Sequence, residues 1–190
     1  MNKHRSFIVG IKSTKLSSKE ISFLKKFKPW GVILFTRNIK DIEQTFKLTS
    51  SIRKIFNDEK YPILIDQEGG RVNRLRNIVS FDNLTSDFFG KIYDKDLRKF
   101  KLYYKLFIDK TSYLLKLIGV NINTSPVLDL RIKGASNIIG DRSFSKNPKI
   151  VSKIGEICIS FFHDNGIGSI MKHIPGHGLA KVDSHYFTPV

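Results

Sequence analysis

The chain has 190 residues and carries 33 Lys and Arg against 17 Asp and Glu, a formal net charge of +16. With 41% hydrophobic residues and 15 Phe it has the apolar content of a packed core, which excludes a disordered chain. A single cysteine, Cys158, excludes a disulfide scaffold, and no apolar run approaches the roughly 18 residues of a membrane span.

The basic excess is spread evenly over both halves of the chain and forms no block. Zinc-finger spacing, an RNP aromatic box and a helix-turn-helix signature are all missing, so no specific nucleic-acid partner is expected. The basic start, Met1 to Ile11, has only Phe7 to Ile11 as an apolar stretch, too short for a signal peptide. Cys158 sits in an apolar helical pattern and reads as a buried, reduced thiol. These features predict a cytoplasmic protein with no membrane partner.

In chain order, strand-like and helix-like segments alternate. Phe7 to Ile11 is a short apolar run and a first strand. Ser17 to Phe27 follows as a helix, with a capping box between Ser17 and Glu20. Gly31 to Phe35 is continuously apolar, as in a strand buried on both faces. Asp41 caps the next helix, in which Ile42, Phe46, Thr49, Ile52 and Phe56 keep a helical period. Ile63-Leu64-Ile65 is a third strand, ending at Asp66. Residues 67–95 read as a long polar loop, and long loops in compact domains often carry function.

Asp96 to Ile118 is the longest helical pattern, with Leu97, Phe100, Tyr104, Phe107, Thr111, Leu114 and Ile118 in step. Gly119 ends it, and Val120 to Asn123 is a fourth strand. Residues 129–147 form a second polar loop. Asn147-Pro148 starts a helix and Gly166 stops it. Gly168 to Met171 is a fifth strand, leading to Lys172-His173. Strands separated by helices predict an α/β architecture with parallel pairing, either doubly wound or a (β/α)8 TIM barrel. Asp66, Asp129 and Lys172-His173 all follow strand ends. That favours the barrel, whose sites are assembled from several strand ends at one rim.

Three clusters carry chemistry. Ile65-Asp66-Gln67-Glu68-Gly69-Gly70-Arg71-Val72-Asn73-Arg74 places a carboxylate and two Arg after a buried strand. It reads equally as a site for a polyol or as an internal ion-pair network that shapes the loop. Gly140-Asp141-Arg142-Ser143-Phe144-Ser145 is weak alone, since Arg142 could simply pin its loop. The run Lys172 to His185 holds three His. His173 and His177 are four apart, but Pro175 and Gly176 between them break a zinc-binding helix, and no metal or other cofactor is expected. Asp183-Ser184-His185 is too local for a catalytic triad. A carboxylate two residues from an imidazole can instead hold it as a proton shuttle on a mobile loop.

Taken together, KHIPGHG…DSH, IDQEGGRVNRL, SPVLDLR and IGDRSFS resemble the bacterial β-N-acetylglucosaminidases of glycoside hydrolase family 3, from about Phe7 onward. The resemblance implies a TIM barrel that removes terminal β-linked N-acetylglucosamine from cell-wall muropeptides, in peptidoglycan recycling, with retention of configuration. By it, Asp66, Arg74, Arg142, Lys172 and His173 would bind the sugar. His185 would be the general acid/base, Asp183 its partner and His177 a support for the loop. The family nucleophile is an Asp on a later strand. Residues 1–190 therefore read as a single N-terminal catalytic domain, incomplete at about five of eight β/α units, since such a barrel takes about 250 residues. The expectation is a chain silent alone and active only if a second chain supplies the remaining strands; the alternatives are a non-catalytic sugar-binding or vestigial chain and, remotely, a basic nucleic-acid-binding protein.

Overall fold

The computed structural model describes residues 4–184, 186 and 188. Strands β1 (Arg5–Gly10), β2 (Pro29–Leu34), β3 (Ile63–Ile65), β4 (Ile122–Asn123) and β5 (Gly168–Ser169) form one sheet in the order β1-β2-β3-β4-β5. Every neighbouring pair is parallel. A doubly wound sheet reverses its strand order at a switch point, and this sheet does not. Sequential winding is the arrangement of a β/α barrel, here as an open five-stranded arc.

Helices α1 (Ser18–Phe27), α2 (Ile42–Phe56), α3 (Ser86–Lys95), α4 (Leu97–Leu117) and α5 (Pro148–Asp164) lie between the strands. Local chemistry sets their starts. Ser17 and Glu20 form the expected capping box on α1. The Asp41 carboxylate accepts from the Gln44 amide at 2.7 Å, and Asn147 caps α5 with Pro148 in its first turn.

The core lies between sheet and helices. Ile63, Leu64 and Ile65 are fully buried, as a central parallel strand requires. Where α3 meets α4, the Tyr104 ring stacks with Phe100 and Phe107 and lies tilted against Phe89. Cys158 is buried beside Tyr104, and burial pushes its thiol up to about 12.

Three expectations need correction. Residues 86–95 are not loop but α3, whose start is capped by the Thr85 hydroxyl accepting from the Phe88 amide. Gly90 lowers its helix propensity and hid it, yet a Cβ there would lie 1.8 Å from the Phe144 carbonyl oxygen. In α2 the apolar period is shifted: Thr45, Leu48, Thr49, Ile52 and Phe56 are buried, while Ile42 and Phe46 face solvent. β4 starts later than expected, at Ile122, and β5 ends earlier, at Ser169; pairing resumes as a bridge between Val127 and Lys172.

Candidate active site

Parallel strands place their C-terminal ends on one side of the sheet. Asp66 leaves β3 there, Thr124 leaves β4, and Lys172 follows β5. Lys172 Nζ donates to Asp66 Oδ1 at 2.7 Å and stands 2.5 Å from Glu68 Oε1. The Thr124 hydroxyl donates to the same Asp66 oxygen. Arg74 approaches the other Asp66 oxygen at 3.5 Å and lies over the Phe35 ring, 5.6 Å from its centroid.

The loop after β3 is built to hold these groups. Gln67 Oε1 accepts from the amides of Arg74 and Leu75 at 2.9 and 3.1 Å. Asn123 of β4 fixes the Gln67 backbone from both sides, accepting its N–H and donating to its carbonyl. Gly69 has φ +90°, and a Cβ there would stand 2.2 Å from the Leu84 carbonyl oxygen. The loop therefore passes too close to Leu84 for any other residue.

Behind the rim, Glu68 is the hub. Its side chain is 3% exposed. Arg142 donates to it through Nε at 2.8 Å and Nη2 at 2.9 Å, a two-armed pairing. Burial alone would raise the Glu68 carboxyl; Arg142 and Lys172 outweigh it and hold it below its ordinary value. Burial likewise opposes ionisation of Asp66, and the charge and hydrogen bond of Lys172 with Thr124 and Arg74 override it. Both groups are charged carboxylates, matched by cations.

Asp129 organises the other side. Its Oδ2 lies 2.5 Å from His173 Nδ1 and accepts the His173 amide at 3.1 Å, while its Oδ1 accepts the His177 amide. These bonds outweigh burial and lower the Asp129 carboxyl. With the proton on Nδ1 the His173 ring donates to Asp129, and a neutral ring then offers Nε2 as an acceptor. His177 Nε2 in turn stands 3.1 Å from Ser184 Oγ, which ties the run after Gly178 back to the rim. Asp183 lies on that run, beside Ser184. His185 lies outside the described residues.

The structure thus brings together Asp66, Arg74, Arg142, Lys172 and His173. Arg142 reaches the cluster through Glu68. Sequence reasoning missed Glu68 and Thr124 and placed Asp129 only at a strand end. Glu68 lies inside the quoted motif, but its value depends on two cations far along the chain. A groove of about 750 Å³ between α5 and segments 128–132 and 171–179 shares Asp129 and His173 with the cluster, and its remaining walls are mostly apolar. Among the described residues no group of His, Cys, Asp and Glu is arranged to hold a metal ion.

A sequentially wound parallel sheet with charged groups at the strand ends defines the class, one side of a β/α-barrel enzyme fold. Residues 6–190 match the family described as glycosyl hydrolase family 3 N terminal domain, and the chain belongs to that family. It is 37% identical over 186 residues to a β-hexosaminidase of Alkalilimnicola ehrlichii, covering 96% of this chain and 51% of the relative. A β-hexosaminidase of Thioalkalivibrio sulfidiphilus is 33% identical over 184 residues, covering 96% and 52%. Among solved structures, native NagZ from Neisseria gonorrhoeae superposes with a TM-score of 0.87 at 30% identity, covering 98% of this chain and 54% of that one. That protein has also been solved in complex with N-trifluoroacetyl-D-glucosamine. The chain spans about half the length of the curated relatives it matches.

Proposed function

We propose that these 190 residues form one catalytic-domain unit, the sugar-binding side of a retaining glycoside hydrolase. The activity is removal of terminal β-linked N-acetylglucosamine from cell-wall muropeptides during peptidoglycan recycling in the cytoplasm. The observation that carries the reading is the convergence of Asp66, Arg74 and Lys172 at the strand ends, each partly open to solvent. A charged carboxylate between two cations accepts from one sugar hydroxyl while the cations donate to its neighbours. His173, oriented by Asp129, adds a ring nitrogen beside them. β-Hexosaminidase relatives and the N-trifluoroacetyl-D-glucosamine complex of the gonococcal protein support the sugar class.

In this reading His185, partnered by Asp183, gives a proton to the leaving oxygen and later takes one from water. A retaining reaction also needs a carboxylate nucleophile. Asp66, Glu68 and Asp129 already accept from cations, amides or a hydroxyl, so none is free to attack. The nucleophile of this reading therefore lies outside these residues. No cofactor takes part.

Two measurements test this. Calorimetry with N-acetylglucosamine is expected to show weak binding that Asp66→Ala abolishes. An aryl β-N-acetylglucosaminide is expected to stay intact with the chain alone. Turnover by the chain alone, lost in His185→Ala, overturns the need for an added nucleophile; absence of sugar binding overturns the site.

A further inference from the structure

α4 carries two apolar faces. The inner one buries Phe100, Tyr104, Phe107, Ile108, Leu114 and Leu115 in the core. Leu102, Leu106, Tyr113 and Leu117 project the other way: at 3.6 residues per turn they fall within an arc of about 60°, roughly opposite the buried side. Leu102 and Leu106 are each 57% exposed and Tyr113 is 55% exposed. The outer side of a surface helix is ordinarily polar, so this row marks an interaction surface.

Charge identifies the partner. α4 holds six basic residues, Arg98, Lys99, Lys101, Lys105, Lys110 and Lys116, against one acidic residue, Asp109. On the same helical wheel, Lys99 and Lys110 border the apolar row on one side, and Arg98, Lys105 and Lys116 border it on the other, with Asp109 between them and the row. Lys105 pairs with Asp109 at 2.8 Å. Among the described residues, Arg98, Lys101, Lys110 and Lys116 enter no ion pair, the pairs on this helix being those of Lys99 and Lys105. A second copy would press two such helices together on chains that each carry +16, so self-pairing is repelled. The complement of an apolar row edged by cations is a surface that is anionic outside and apolar just beneath, a bilayer rich in acidic lipid.

We propose that the outer face of α4 docks peripherally on an anionic bilayer. Leu102, Leu106, Tyr113 and Leu117 enter the headgroup boundary while the Lys and Arg stems reach back to the phosphates. No helix among the described residues is long and apolar enough to cross a membrane, so the contact lies in the interface plane. This departs from the expectation of no membrane partner drawn from the sequence, and it stands independently of the glycosidase reading.

Co-sedimentation of the 190-residue chain with vesicles at low salt tests it. The chain is expected to bind phosphatidylglycerol/phosphatidylcholine vesicles and not pure phosphatidylcholine ones. Leu102→Ser with Leu106→Ser should lower partitioning at least about tenfold, with circular dichroism and Tm unchanged because both side chains are exposed. Lys99→Glu with Lys110→Glu should weaken binding by about fivefold or more per residue. The pair Lys25→Glu with Lys26→Glu on α1 makes the same charge change and should weaken it less. Failure to bind mixed vesicles, wild-type binding by the leucine variant, or equal loss from the α1 pair overturns the proposal. A lipid-free dimer abolished by the leucine changes also overturns it, in favour of a second copy.

Discussion

Glu68 receives both arms of Arg142, at 2.8 and 2.9 Å, from 74 residues further along the chain. The pair joins the loop after β3 to the loop before α5, and Lys172 adds a third charge to it. Removing Glu68 leaves the largely buried Arg142 without its anionic partner and Lys172 with Asp66 alone. Glu68→Ala is expected to cost about 3–5 kcal/mol, read from the midpoint of urea unfolding. A loss below about 1 kcal/mol would show that the cations find other partners.

The same carboxylates set an acid limit. Glu68, Asp66 and Asp129 all sit below their ordinary values in the folded protein, 4.5 for Glu and 3.8 for Asp. The unfolded chain therefore takes up protons first as pH falls. The stability they contribute is complete above those ordinary values and is lost as pH drops through the lower folded values. Urea unfolding is expected to show stability falling steeply below about pH 4. Glu68→Gln should flatten the fall, and an unchanged slope would remove Glu68 as its source.

Gly90 is a packing requirement. Gly90→Ala would drive a methyl into the Phe144 carbonyl. The expected cost is at least about 2 kcal/mol, although alanine is the better helix former. Gly166→Ala meets no atom within 4 Å and strains only its φ of +69°, so it should cost about 1 kcal/mol. Thermal unfolding of the two variants compares them, and equal losses would contradict the contact.

Asp129 holds the run from His173 to His177 through three hydrogen bonds. Asp129→Ala should release it. Trypsin cleavage after Lys172 and Lys181 is then expected to speed up several-fold at a temperature where the core stays folded. Unchanged cleavage would place the anchor elsewhere.

Cys158 is buried, with its thiol pushed up to about 12. An aromatic disulfide reagent at pH 8 is expected to leave it untouched until denaturant is added. Fast reaction in the native protein would mean that α5 opens readily.

Much of the frame is legible in the sequence because its signals are local. Ile63-Leu64-Ile65 reads as a buried strand from three adjacent residues, and Ser17 with Glu20 marks a helix start by itself. α3 escaped because Gly90 answers to Phe144, which lies in another loop. The site divides the same way. Asp66 and Lys172 stand at strand ends and can be placed from the alternation alone. Glu68 looks like any acidic loop residue until Arg142 and Lys172 fold onto it. His173 and His177 have a spacing that Pro175 and Gly176 already bar from a zinc-binding helix, but that Asp129 takes His173 by ring and amide and His177 by its amide is visible only in the fold. The evenly spread charge also obscured α4, since only the helical wheel separates its outer row from the lysines on either side.

The sequential order of the sheet governs how the chain assembles as it is made. Each strand lies beside the one made just before it, so no strand has to be inserted between two earlier ones. The charged rim follows the opposite schedule. Asp66 emerges early and waits 106 residues for Lys172. The rim is thus joined across long stretches of chain, on a sheet built from neighbours in sequence.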